Sequence, residues 1–207
     1  MPPCRKQGRT GREIMKRQSF LICTLKGIGY IVLGNVMCLF LTMALTMFGD
    51  VLFLKIAAML CGTLIFYSLI FTVAWKDGVR ERSLVKLNRV GKEKKRRWIF
   101  VGLIMFVFAA APTIVLLANK LFFPEGDTLF AYRFLSGSAY PFILTFVPPV
   151  ITENEAWVQT SMRQIDNMTA LFPALMILYY VFIPAVTQLG FWCGYEDKLS
   201  KDKIMYK

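Results

Sequence analysis

Four stretches of this chain carry no charged side chain: residues 27–49, 56–75, 98–119 and 168–195. Each is mainly apolar and close to the ~20 residues that a helix needs to cross a ~30 Å hydrocarbon core at 1.5 Å per residue. A water-soluble domain distributes its charges along every helix and strand. Here only 18% of residues are charged, against about a quarter in soluble domains, although the net charge is +12. The 207 residues are 56% hydrophobic, with a mean hydropathy of +0.51. The pattern predicts an all-α membrane protein with four transmembrane helices, spanning about 27–49, 56–75, 98–119 and 169–192. The intervening 120–167 forms an external loop.

The basic N-terminus resembles the n-region of a signal peptide. The apolar run behind it is too long for an h-region and lacks a small-x-small site followed by a soluble chain. The first span is therefore expected to stay as an anchor. Met15-Lys16-Arg17 reads as a natural start, which would make residues 1–14 an extension or a misplaced start.

Positive charge sets the orientation. Residues 1–26 hold seven Lys and Arg against one acid, and 76–97 hold ten against three. The 120–167 loop reverses the balance, with three basic residues against five acidic ones. Basic residues near span ends stay cytoplasmic. This places the 1–26 tail, the 76–97 loop and the 196–207 tail inside, with the turn at Gly49-Asp50 and the 120–167 loop outside. The five cysteines, Cys4, Cys23, Cys38, Cys61 and Cys193, all avoid the two external connections.

One uncharged stretch, Phe134 to Thr152, is long enough to be taken for a fifth span. Ser136-Gly137-Ser138 opens it with turn formers, Pro141 restarts it, and Pro148-Pro149 forces the preceding residue out of helical geometry. The clean helix left between them is about two turns, roughly 10 Å, too short to cross. The expectation is an external cap, a short interfacial or re-entrant piece resting on the helix ends. After it, Thr152 and Glu155 have capping-box spacing. An amphipathic helix is expected from Glu153 to about Gln164, with Trp157 as an interfacial anchor. Asn167-Met168-Thr169 fits a glycosylation sequon but abuts the fourth span.

Chemistry has few places to reside. Without histidine, the Ser-His-Asp and Cys-His arrangements and the usual zinc sites are excluded. No CxxC or phosphate-binding glycine loop occurs. No cofactor or metal is expected, and the chain reads as no enzyme. The outer carboxylates Glu125, Asp127, Glu153, Glu155 and Asp166 lack calcium-loop spacing, and an outer loop is expected to be acidic in any case. Inside the spans the polar side chains include Asn35 and Gln188, candidates for interhelical hydrogen bonds or, less simply, a substrate contact. Pro112 and Pro184 read as kinks. Ala58 and Gly62, and Gly190 and Gly194, have the small-xxx-small spacing that lets helices approach closely. They could face the bundle or a partner helix. Lys92, Lys94, Lys95, Arg96 and Arg97 precede the third span as a topogenic cluster that would contact anionic headgroups at the cytoplasmic face. With that charge committed to the membrane surface, nucleic acid is not an expected partner.

The ending "PAVTQLGFWCGYEDKLSKDKIMYK", with Gly190, Phe191, Gly194 and Tyr195 closing a helix before a lysine-rich tail, resembles small four-span membrane proteins of Gram-positive bacteria. That resemblance implies a multi-pass protein of the bacterial plasma membrane and no particular activity. The functional expectation is a non-enzymatic accessory or scaffold subunit working with a membrane-protein partner or as a homo-oligomer. The alternative is a small transporter or channel subunit whose pathway forms by oligomerisation or with a partner.

Overall fold

The computed structural model describes residues 18–48, 51–87, 97–122, 128–147 and 168–196. They form seven helices and, among the described residues, no strand. Four segments are long and apolar enough to cross a membrane: α1 (Phe20–Thr46), α2 (Leu52–Lys86), α3 (Arg97–Phe122), and the pair α6 (Leu171–Tyr180) and α7 (Phe182–Glu196) taken together. Between α3 and α6 lie two short helices, α4 (Thr128–Leu135) and α5 (Tyr140–Phe146).

The helices pack by narrow stripes, because lipid already solvates their remaining faces. In α1 the buried residues Cys23, Gly27, Ile31, Asn35, Cys38 and Thr42 recur every three or four positions, while Leu25, Val32, Leu33 and Phe40 face outward. The same period runs through Ala58, Gly62, Phe66, Ile70 and Ala74 of α2. Between apolar helices in lipid, association depends on contact packing rather than on expulsion of water. Small residues are therefore placed where backbones cross. A Cβ built on Gly190 would lie 2.7 Å from the Phe71 carbonyl, one on Gly194 would overlap the Trp75 carbonyl, and one on Gly78 would overlap that of Phe191. The α2–α7 contact is thus a glycine-lined crossing.

Helix limits depart from the charge-free runs in two places. The sequence reading begins a loop at Lys76, yet α2 continues to Lys86 and is 35 residues long, about 52 Å at 1.5 Å per residue. Nothing in 76–86 breaks a helix, and Gly78 seats this extension against Phe191 and Tyr195 of α7. The fourth span is interrupted at Val181, three residues before Pro184. Proline lacks an N–H and crowds the carbonyl four residues earlier. The Tyr67 hydroxyl donates to the Tyr179 carbonyl beside the break. Val181 itself keeps right-handed helical angles, so the interruption is a kink. Pro112 lies inside a continuous α3.

The end of the bundle bearing Phe20, Lys86, Arg97 and Glu196 is the terminal end; the opposite one is the hairpin end. At the terminal end, Trp98 Nε1 donates to Asp77 Oδ2 at 3.0 Å, and Arg97 Nη2 donates to the Gln18 carbonyl at 2.6 Å. These bonds join the chain before α1 and the extension of α2 to the start of α3.

Candidate functional site: a re-entrant hairpin pinned at half depth

The four residues joining α4 to α5, Ser136 to Ala139, are buried, with Ser136, Ser138 and Ala139 at 0% exposure. They pack on the middle of α1. Asn35 Nδ2 donates to the Leu135 carbonyl at 2.7 Å, and the Ser138 N–H donates back to Asn35 Oδ1 at 3.2 Å. One amide side chain therefore closes the last carbonyl of α4 and an N–H of the turn. Three further N–H groups pair locally, Ser136 with the Tyr132 carbonyl and Ala139 and Tyr140 with the Ser136 carbonyl, at 2.8–3.1 Å. Irregular backbone is tolerated at membrane depth only when it is buried in protein or lines a cavity with its polar groups satisfied. Gly137 is required for sterics: a Cβ there would overlap the Asn35 carbonyl.

Three helices give the depth of this tip independently. Asn35 lies eleven residues before the end of α1, about 16 Å at 1.5 Å per residue. Thr113, whose Oγ1 donates to the Tyr132 hydroxyl at 3.4 Å, lies nine residues before the end of α3, about 14 Å. Tyr180, whose hydroxyl is 3.4 Å from Ser138 Oγ, lies nine residues into α6, again about 14 Å. Half of a ~30 Å core is ~15 Å. The α4–α5 pair is a re-entrant hairpin that reaches the middle of the four-helix bundle and returns.

The expectation that 134–152 is too broken to span holds over its described part, since α5 has seven residues. Of the two forms expected for it, interfacial or re-entrant, its tip takes the re-entrant one, inserted between α1, α3 and α6 instead of resting on the helix ends. The reason is long-range pairing: Asn35 offers a donor and an acceptor at the depth where the turn needs both. The expected helix from Glu153, Trp157 and the outer carboxylates lie outside the described residues.

Insertion carries Arg133 inward. It is 8% exposed, and its guanidinium carbon sits 5.0 Å from the centroid of the Tyr140 ring. An arginine at this depth is costly unless surrounded by protein, and the ring face supplies part of the compensation. Beneath the tip, Phe66, Tyr67, Phe142, Tyr179 and Tyr180 form an aromatic layer with centroids 5.1–6.3 Å apart. Cys38 Sγ donates to the Gly62 carbonyl at 3.2 Å, tying α1 to α2.

The other sequence candidates fall as follows. Ala58 is 2% exposed, and a Cβ on Gly62 would meet Cys38 Sγ at 3.7 Å and Pro141 Cγ at 4.0 Å. Both small-residue pairs thus serve the internal bundle, a question the spacing left open. Gln188 lies in the wall of a shallow groove between α3 and α7, with Pro184 and Trp192. Arg97 begins α3 and bonds Gln18; Lys92, Lys94, Lys95 and Arg96 lie outside the described residues. Among the described residues no group of three His, Cys, Asp or Glu side chains could hold a metal. Sequence reasoning missed Thr113, Tyr132, Arg133 and Tyr180; only the small-residue turn at 136–139 hinted that a buried partner surface was needed.

No family model, curated protein or solved structure matches the chain.

Proposed function

We propose that this integral membrane protein is non-enzymatic and acts as an accessory or scaffold subunit of a membrane complex. It would reside in the plasma membrane with both termini cytoplasmic. Lys92, Lys94, Lys95, Arg96 and Arg97 would lie against anionic headgroups, and its partner would be another membrane protein or a second copy. The observation that carries this reading is the commitment of Asn35: both ends of the deepest amide go to the hairpin backbone. A side chain committed in this way stiffens a shape instead of handling a solute. The glycine-lined α2–α7 crossing supports the same view, because close backbone contact favours a single rigid arrangement.

The transporter or channel-subunit reading is favoured by the hairpin itself. Transporters build midplane sites from helices interrupted near the bilayer centre, and this hairpin ends there. Introducing photocrosslinking residues at Leu25, Leu60 and Leu178, one at a time in intact cells, separates the two. A scaffold yields one discrete heavier adduct from one face, and purified protein in vesicles leaves ion and solute gradients intact. Selective dissipation of a gradient that is lost in Asn35→Leu would establish the transport reading instead.

A further inference from the structure

Five hydroxyls meet where the hairpin tip enters the bundle: Thr113 of α3, Tyr132 of α4, Ser136 and Ser138 of the turn, and Tyr180 of α6. Each of these residues is at most 2% exposed. Their hydrogen bonds do not close among themselves. Thr113 Oγ1 donates to the Tyr132 hydroxyl, and Ser138 Oγ pairs with that of Tyr180, both at 3.4 Å. Hydroxyls in direct contact usually stand about 2.7–2.8 Å apart. The Tyr132 and Tyr180 hydroxyls also neighbour Ser136 Oγ. Neither stands in hydrogen-bond geometry to it, and that oxygen has no protein partner. The proton of Tyr132, that of Ser136 and one from the Ser138–Tyr180 pair are left unplaced. We propose that Tyr132, Ser136 and Tyr180 bind one internal water molecule.

The chemistry of the cluster selects that ligand. Buried polar groups in native proteins are hydrogen-bonded, and the hydrocarbon around the bundle offers these protons no acceptor. A buried water commonly makes about three bonds to groups that lack other partners. Accepting from Tyr132 and Tyr180 and donating to Ser136 Oγ, it leaves no oxygen of the cluster without a partner. A bare cation is disfavoured by the positive charge of Arg133, buried three residues before Ser136. The water would tie α4 and the turn to α6, as Asn35 ties them to α1. The site rests on neither functional reading, since a scaffold and a transporter subunit would both need the tip held in place.

The test uses the full chain in lipid bilayers, with isotope-labelled serine and alanine, and solid-state NMR transfer of magnetisation from water protons. Ser136 should receive that transfer although it lies at half depth. Ala111, two residues from Thr113 and on an outward-facing surface, should receive none. Thermal melts give the second readout. Ser136→Ala should lower Tm, because it takes a partner from a bound water; an Oγ with no partner would make the same change neutral or stabilising. Tyr132→Phe and Tyr180→Phe combined should lower Tm by less than the sum of the two, because both act on one water. A Ser136 signal as dark as that of Ala111 would overturn the proposal. So would a Tm that holds or rises in Ser136→Ala, or strictly additive losses from the two tyrosines. A dark Ser136 with a Tm that falls when chloride is replaced by gluconate would assign the cluster to an anion beside Arg133 and also refute it.

Discussion

At the hairpin tip, contact between segments runs through polar atoms: one amide, two backbone groups of an irregular turn, and hydroxyls from α3, α4 and α6. At the α2–α7 crossing it runs through glycines, with backbone set against backbone at Gly78, Gly190 and Gly194. The two regions solve one problem differently. Regular helices satisfy their own backbone, so they need only shape to associate. An irregular turn brings unpaired N–H and C=O groups into hydrocarbon and has to be met by a side chain that offers both a donor and an acceptor. The crossing should accordingly fail through added volume, and the tip through lost hydrogen bonds.

The largest effect is expected from Gly194→Leu. Its side chain would be driven into the Trp75 carbonyl, and the helix propensity gained cannot offset overlap with backbone. A loss of about 3 kcal/mol or more should appear as aggregated protein or a lowered Tm in detergent by fluorescence-detected gel filtration. Asn35→Leu comes next. It removes two hydrogen bonds and leaves the Leu135 carbonyl and Ser138 N–H buried without their partner, for roughly 2–4 kcal/mol. A bundle that keeps its helix content while the hairpin becomes protease-sensitive would show that the amide holds the tip specifically. Trp98→Phe keeps the ring stacked near Phe191 but removes the bond to Asp77. It should cost about 1–2 kcal/mol and loosen only the terminal end, read as faster hydrogen exchange there. Ser138→Ala, which loses only a long contact to Tyr180, should cost under about 1 kcal/mol. Gly29→Leu completes the series. A Cβ there meets nothing within 4 Å, so Tm should hardly move; a large drop would mean that this face of α1 is covered after all.

The difference between the two regions also explains what the sequence could show. The four crossings follow from charge-free length, and the small residues at 58, 62, 190 and 194 announce close approach, because both properties are local. Asn35 stands out as the single amide of its span, and Ser136-Gly137-Ser138 stands out as a turn. That each completes the other is a pairing across 100 residues, and one sequence carries no trace of it. The reading of 134–152 as a piece resting on the helix ends follows sound local physics, since a broken segment should avoid lipid. Of its two forms it is the re-entrant one that is realised, deeper than the helix ends, because burial in protein lifts that prohibition. Arg133 was hidden for the same reason: within a loop a lone arginine looks solvated, and only the depth of its helix makes it unusual. The continuation of α2 to Lys86 was obscured by charge, which marks the end of a membrane span and not the end of a helix.

The central claim is the depth of the hairpin tip, and Leu135 reports it, because its side chain is 59% exposed. In a variant lacking the native cysteines, a nitroxide on Leu135→Cys in lipid vesicles can be compared with nitroxides on Thr46→Cys and Phe122→Cys at the hairpin ends of α1 and α3. The structure predicts that the Leu135 label lies near the bilayer centre, relaxed by oxygen and shielded from a water-soluble nickel chelate. The other two should lie near the interface. A Leu135 label as shallow and as accessible to nickel as those at 46 and 122 would return the hairpin to the membrane surface and contradict the account.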